Sequence, residues 1–437
     1  MAPKFDNAGP SSLSSVPVRH SMKAGRYGWF RRLFAFAGPG YIVAVGYIDP
    51  GNWATDLAGG SAFGYELLWV VALSSLMAMM LQVMSARLGI VTGMDLAQAC
   101  RAYHPRTAVA QWLLCELAIC ACDLAEVIGT AIGLKLLFGI PLPWGVGATV
   151  IDVMLILWLQ KKGSRYLEAL VIALFIIVLT CFVCTLILSR PNWFDVAGGL
   201  VPTRSSVTDS AHLMIAIGIL GATVMPHNLY LHSSVAQHDC GAYKPKGQSE
   251  KLVFATIDTV VALTIAFCIN AAILITAAAV FHTHGYHAIA ELQDAYRLIG
   301  PVTGSGLAAL LFGTALLASG QSSSLTATLA GQIIMEGFLK WKAPSWLRRL
   351  LTRIVVVTPT LAVVLLYDES VIGRLLILSQ IVLSLQLPFA IYPLLRFTSN
   401  AQLMGEHANK KWLSLLTWSM LVLITGLNLM LAWQAFF

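Results

Sequence analysis

Apolar positions along this chain come in blocks of about twenty residues rather than in the short periods of a surface helix or a half-buried strand. Eleven such blocks can be drawn: 37–63, 66–87, 109–134, 143–160, 167–188, 211–236, 253–281, 305–338, 350–367, 371–395 and 413–434. About 20 apolar residues in a helix cross about 30 Å of hydrocarbon. The pattern therefore predicts eleven spanning helices joined by short polar loops, an all-α polytopic membrane protein.

The distribution of basic residues supports that count. Of 28 Lys and Arg, 23 fall on the side of the N-terminus, and only Lys135, Arg190, Arg204, Arg297 and Arg374 fall on the other. Basic residues concentrate in cytoplasmic loops, and one missed or invented helix would scramble the alternation. The N-terminus is expected in the cytoplasm and the C-terminus outside. Composition then closes other classes: with 11% charged and 57% hydrophobic residues over 437 positions, the chain could not keep a soluble surface. A soluble enzyme is excluded and no nucleic-acid partner is expected; the net charge of +7 reflects topology in a cell membrane. Residues 1–36, rich in Ser, Pro and Arg and without the apolar core of a signal peptide, read as a flexible cytoplasmic tail. The eight cysteines lack zinc-ligand spacing and read as packing residues.

Candidate chemistry lies where the membrane rules are broken, because an intramembrane charge or helix break is costly unless it faces a cavity or a partner. The first span runs into Asp49-Pro50-Gly51-Asn52, and the sixth into Gly221-Ala222-Thr223-Val224-Met225-Pro226-His227. Each interruption would unwind its helix. Pro50 and Pro226 stand 176 residues apart, as expected of two five-helix repeats. Five is odd, so the second copy enters the membrane from the opposite side. Paired interruptions in corresponding helices of an inverted repeat point to a transporter's midplane substrate site.

The donors at these breaks indicate what would bind. Asp49 offers a hard anionic oxygen, Asn52 a neutral carbonyl oxygen, Met225 a soft thioether, and unwinding frees backbone carbonyls such as those of Gly46 and Ala222. A thioether adds nothing for Mg²⁺ or Ca²⁺ and favours softer divalent ions such as Mn²⁺, Fe²⁺, Co²⁺ or Cd²⁺.

Asp49-Pro50-Gly51-Asn52 and Met225-Pro226-His227 resemble the signatures of the Nramp family of proton-coupled divalent-metal transporters, and in particular its bacterial manganese transporters. The resemblance extends over nearly the whole chain beyond the tail, through Leu67-Leu-Trp-Val, Asp123-Leu-Ala-Glu126, Tyr230-Leu-His-Ser233, Ala318-Ser-Gly-Gln-Ser-Ser, Trp346-Leu-Arg-Arg349 and Leu378-Ser-Gln380. It implies a LeuT-like fold: a first inverted repeat over 37–200 (helices 1–5), a second over 201–397 (helices 6–10), and helix 11 with an external C-terminus over 398–437. It further implies a metal held by Asp49, Asn52, Met225 and the Ala222 carbonyl, with the Gly46 carbonyl and the Gln380 amide joining in some conformations. A backbone ligand tolerates Gly46 where the family often has Ala, and Asn228 follows the pattern of eukaryotic members. No resident cofactor is implied; the metal is cargo and H⁺ the coupling ion.

A proton route is suggested by span 3. Glu116, Asp123 and Glu126 project at about 0°, −20° and −80° around a helix, a polar stripe on one face. Buried carboxylates that alternately hold and release a proton suit a relay; a purely structural salt bridge to Arg348 and Arg349 of span 9 is the alternative. The two are compatible, since the resemblance places those arginines along the proton exit. His227, two residues beyond Met225, titrates nearest neutral pH and is expected to assist Asp49. His232 is expected rather to shape the helix or the inner gate. Asp152 and Asp258 are expected to be solvated at helix ends, and His282, His284 and His287 to lie in an ordinary external loop.

The function expected is H⁺-coupled import of Mn²⁺ or Fe²⁺ by alternating access. A Na⁺-coupled organic-solute symporter on the same fold is the alternative, but Asp49 would repel a substrate carboxylate. An intramembrane metalloenzyme would need a motif such as His-Glu-x-x-His, which the sequence lacks.

Overall fold

The structure, a computed structural model, describes residues 28–36, 38–151, 164–237, 245, 247–287, 289, 291–340, 344–366 and 370–436. All its regular elements among the described residues are helical. They run α1 (Trp29–Phe36), α2 (Pro39–Gly46), α3 (Pro50–Phe63), α4 (Leu68–Thr92), α5 (Leu96–Tyr103), α6 (Ala108–Phe138), α7 (Leu142–Ile151), α8 (Ser164–Ser189), α9 (Trp193–Gly198), α10 (Arg204–Thr208), α11 (Ser210–Thr223), α12 (Pro226–Val235), α13 (Gln248–Val280), α14 (Leu292–Thr303), α15 (Gly306–Leu339), α16 (Ser345–Leu366), α17 (Ser370–Thr398), α18 (Ala401–Met404) and α19 (Lys411–Phe436). Eight spans, with α11 and α12 taken together as one, are long and apolar enough to cross a membrane. The α2–α3 pair, α7 and α15 occupy the other three predicted blocks, α7 covering only the described first part of its block.

Inner and outer helices differ in what they bury. In the α11–α12 span 78% of the most apolar window is buried, against 18% in α16; α11–α12 therefore sits at the centre and α16 presents Leu351, Val355, Leu365 and Leu366 outward. In lipid those outward side chains need no cover, and helix association rests on close packing and polar contacts instead. The centre is built that way. α6 lies along α15, α13 against α2, α3 and α4, and α17 against α3, α6 and α11. A Cβ on Gly129 of α6 would fall 2.2 Å from Pro50 Cγ, so only glycine lets α6 rest on the first turn of α3. Trp53 is fully buried one turn further on, edge-on to Phe182 and Phe312 at 4.6 and 5.2 Å between ring centroids.

Two expectations are corrected here. Residues 29–36, assigned to a flexible tail, form α1, because Trp-Phe-Arg-Arg-Leu-Phe-Ala-Phe is amphipathic: Leu33 and Phe36 pack on Phe254 of α13 while Arg32 pairs with Glu250 at 2.7 Å. Asp258 is not solvated but 3% exposed, and its Oδ2 accepts from the Gly40 backbone N–H at 2.7 Å. It neutralises the unpaired N–H groups that open α2. Asp152 and residues 1–27 lie outside the described residues.

Candidate metal centre

Both central spans are interrupted, each for reasons visible in its residues. α2 closes at Gly46 with short-range bonds from Tyr47 N–H to Ala44 O and from Ile48 N–H to Val45 O, at 3.0 and 3.3 Å. Asp49 is extended (φ −73°, ψ 160°), and Pro50 opens α3. Proline lacks the N–H that a continuous helix needs there and its ring would meet the Gly46 carbonyl. Asp49 makes the restart favourable by capping it: Oδ1 accepts from the Asn52 N–H at 3.0 Å. The carbonyls freed by the break find side-chain donors. Asn270 Nδ2 of α13 donates to Tyr47 O at 3.0 Å, and Ser319 Oγ of α15 donates to Ile48 O.

The second break follows the same plan without a polar cap. α11 ends at Thr223, Val224 N–H closes onto Leu220 O at 2.9 Å, Met225 is extended (φ −71°, ψ 117°), and Pro226 opens α12. This backbone leaves the Met225 side chain fully buried beside Cys122, Ala327 and Leu383.

One side chain joins the two breaks. Asn52 Nδ2 donates to Asp49 Oδ1 at 2.6 Å and to the Ala222 carbonyl at 3.2 Å. Around that bridge Asp49 Oδ2, Asn52 Oδ1 and Gln380 Oε1 are buried with no hydrogen-bond partner. Gln380 belongs to this group spatially: a Cβ on Gly51 would sit 1.8 Å from Gln380 Nε2 and 2.9 Å from Asp49 Oδ2. Met225 Sδ accepts from Asn228 Nδ2 at 3.4 Å, and Asn228 lies against Gly46. Of the six residues expected at the metal, Asp49, Asn52 and Ala222 thus cluster through hydrogen bonds, Gln380 lies beside them against Gly51, and Met225 and Gly46 are linked through Asn228.

Buried oxygens without a donor are costly, each by about 1–3 kcal/mol, and a carboxylate oxygen more so. A cation placed among them would relieve that cost. One carboxylate, two carboxamide oxygens, a carbonyl and a thioether form a mixed hard and soft set that fits a divalent transition metal. Among the described residues no three or more His, Cys, Asp and Glu side chains converge as a metal cluster, because this set draws on other donors.

The stripe on α6 leads away from the site. Glu126 Oε1 is 3.6 Å from Cys122 Sγ, which is itself 3.8 Å from His227 Nε2; Glu126 Oε2 and His227 Nδ1 are buried without partners. Asp123 Oδ1 accepts from Arg353 Nη1 at 2.7 Å, and Arg353 Nη2 donates to Ser324 Oγ at 2.5 Å. Glu116 Oε1 accepts from Arg348 Nη2 at 2.6 Å and from Trp112 Nε1 at 3.1 Å. A cavity lined by Asp123, Thr328, Arg348 and Arg353 opens between these pairs. The structure places Arg348 on Glu116, whereas the Arg349 side chain lies outside the described residues. Arg353, which was not expected to matter, holds Asp123; its place within the predicted span 350–367, directly before the apolar run Ile354-Val-Val-Val357, was the available signal.

His232 belongs to a different chain of contacts. Its Nδ1 is 2.9 Å from Gln82 Oε1, Gln82 Nε2 donates to the Tyr47 hydroxyl at 2.7 Å, and His232 Nε2 is 3.4 Å from Thr259 Oγ1. Asp56, two turns into α3, was also overlooked although its Oδ2 is buried without a partner. In the segment after α13, His282 and His287 approach at 3.2 Å, and His282 Nδ1 lies 3.0 Å from Ser61 O.

Comparison with known proteins places this geometry. The family model described as natural resistance-associated macrophage protein-like, Nramp, matches residues 40–434. The divalent metal cation transporter MntH of Nostoc sp. is 53% identical over 98% of this chain and 97% of its own. The crystal structure of an Eremococcus coleocola manganese transporter, mutant H236A, superposes with a TM-score of 0.87 at 40% identity, covering 96% of this chain and 90% of that one. MhsT, solved in complex with L-phenylalanine, shares the fold at a TM-score of 0.57 and 16% identity, covering 96% of this chain and all of that one. The architecture is therefore the LeuT-like one, two inverted five-helix repeats with an added eleventh helix, set in a membrane. On the match of the family model across both broken spans and the agreement in sequence and fold over almost its entire length, this chain belongs to the Nramp family.

Proposed function

We propose that this protein imports divalent transition-metal ions, Mn²⁺ foremost and Fe²⁺ with it, by alternating access around the two broken helices, coupled to H⁺. The observation that carries this reading is the Asn52 carboxamide joining Asp49 to the Ala222 carbonyl across both breaks, amid three buried oxygens that lack donors. The metal would take Asp49 Oδ2, Asn52 Oδ1, the Ala222 carbonyl and Met225 Sδ, with the Gly46 carbonyl and Gln380 Oε1 entering in other conformations. Names of relatives that transport divalent metal cations and manganese support the cargo. An organic anion is disfavoured, because an uncompensated Asp49 carboxylate oxygen would oppose it.

Asp49 receives the external proton as metal leaves or enters, His227 assists, and Glu126 and Asp123 pass it toward the cytoplasm, the Arg353, Arg348 and Arg349 region forming the exit. The contacts of Cys122 with both His227 and Glu126 support that direction. Glu116 stands at the inner end, and His232 acts on packing near Tyr47. The N-terminus is cytoplasmic and the C-terminus external, in the cell membrane, with repeats over 37–200 and 201–397. Mn²⁺ uptake into proteoliposomes under an inward pH gradient tests the reading. Uptake is expected in wild type, lost in Asp49→Ala, and newly inhibited by Ca²⁺ in Met225→Ala. A folded wild type without uptake would sink it.

A further inference from the structure

The Met225 thioether does not stand alone. Asn228, three residues on in the first turn of α12, is fully buried and directs Nδ2 at Met225 Sδ at 3.4 Å, while its Oδ1 has no partner. Burying a carboxamide in this way is costly unless it serves something. Space for it is made deliberately on the facing break. A Cβ on Gly46 would lie 2.6 Å from Asn228 Nδ2 and 3.3 Å from its Oδ1, so the carboxamide holds this position because glycine leaves it open, and a side chain there would displace it. Thr326 Oγ1 closes the same niche at 3.0 Å from that Cβ position. Its hydroxyl proton goes to Ser323 O at 2.8 Å, and the hydrogen bond that Nδ2 makes is the one to the Met225 sulfur.

We propose that Asn228 is a specificity-determining residue that acts through Met225: its N–H occupies one sulfur lone pair and restrains the softness of the metal site, with Gly46 as the residue that admits it. The proposal rests on the metal-site reading above. A thioether has two lone pairs, so the N–H contact can persist while the other binds metal. Electron density drawn toward the N–H weakens the sulfur–metal bond. The loss is felt most by thiophilic ions such as Cd²⁺ and least by Mn²⁺, whose affinity comes mainly from oxygen. The carboxamide thereby narrows the advantage that a soft competitor would otherwise gain from Met225.

The test is calorimetric titration of the purified full chain with Mn²⁺ and with Cd²⁺ in wild type, Asn228→Leu, Gly46→Ala, Met225→Ala and Asn228→Leu/Met225→Ala. A hydrogen bond of ordinary net strength corresponds to a change of about threefold to tenfold. Asn228→Leu is therefore expected to raise the preference for Cd²⁺ over Mn²⁺ by about threefold or more, mainly through tighter Cd²⁺ binding. Gly46→Ala, whose Cβ displaces the carboxamide, should do the same, and it alone decides the matter where the Leu variant does not fold. On the Met225→Ala background the Leu substitution should change nothing, as coupling through sulfur requires. An unchanged preference in a variant that still binds Mn²⁺, or a drop in Mn²⁺ affinity instead, would overturn the proposal. Failure of the underlying site looks different: Met225→Ala would then leave Cd²⁺ binding untouched.

Discussion

Replacing Arg353 with Met removes the guanidinium that faces Asp123 and leaves the rest of α16 in place. The pair is 2.7 Å long, with the Arg353 and Asp123 side chains 3% and 11% exposed, so neither charge is well hydrated. Breaking such a pair by deleting one partner costs about 3–5 kcal/mol, because the remaining charge is stranded, whereas replacing both with apolar groups of similar size is near neutral. Ser324 Oγ also loses its contact with Nη2, which places the estimate toward the upper end. Unfolding in mixed detergent micelles should therefore show a large loss for Arg353→Met and recovery of most of it in Arg353→Met/Asp123→Leu. Proton flux in proteoliposomes then separates structure from transport. If Asp123 is a relay group, the recovered double variant still takes up few protons; if the pair is only a brace, flux returns with stability. A loss below about 1 kcal/mol in the single variant would refute the premise that this charge is desolvated and paired.

Other perturbations bear on different parts of the molecule. Asn52→Leu removes both the bridge to Ala222 and an oxygen proposed for the metal and should weaken Mn²⁺ binding by at least about tenfold by titration calorimetry; Asp123→Asn should leave that affinity nearly unchanged while reducing proton uptake. Gly129→Ala forces a methyl into Pro50 and should lower stability by about 1–3 kcal/mol in thermal unfolding. Asp95, outside the spans, caps α5 by accepting from the Gln98 N–H at 2.8 Å, and burial, with a smaller push from Glu336, raises its carboxyl to about 7. Since the folded value exceeds the unfolded one, the folded state holds the proton more tightly. Stability contributed by Asp95 is present below about pH 4 and is lost toward pH 7, by up to about 1.4 kcal/mol per pH unit. Asp95→Asn, still a cap, should flatten that part of the stability-versus-pH curve.

Much of the fold was legible because bilayer thickness imposes a length on every helix, and the two interruptions were legible because Asp-Pro-Gly-Asn and Met-Pro-His have no other use inside a span. Contacts that depend on how helices face one another were not. Arg348, a natural partner for the α6 carboxylates by its place near the start of α16, does reach Glu116, yet Asp123 is held by Arg353, a turn deeper. Asp258 looked like a solvated end residue until α2, more than two hundred positions away in sequence, brought its open N-terminus onto it. α1 escaped notice because eight residues are too short to register against the polar segment before them, and Glu250 and Phe254, which hold it, arrive from α13. Asn228 could be read from sequence only as a mark of subgroup; its bearing on sulfur needed the backbone of the second break.

The central claim is that one metal ion sits between the two breaks with oxygen from the first and sulfur from the second. X-ray absorption at the metal edge, on protein loaded with one equivalent of Cd²⁺ or Mn²⁺, tests it most directly. Wild type should show a shell of oxygen scatterers plus a single sulfur, the sulfur vanishing in Met225→Ala and the oxygen count falling in Asp49→Ala. A first shell of oxygen alone in wild type, or one unchanged by either substitution, would contradict it.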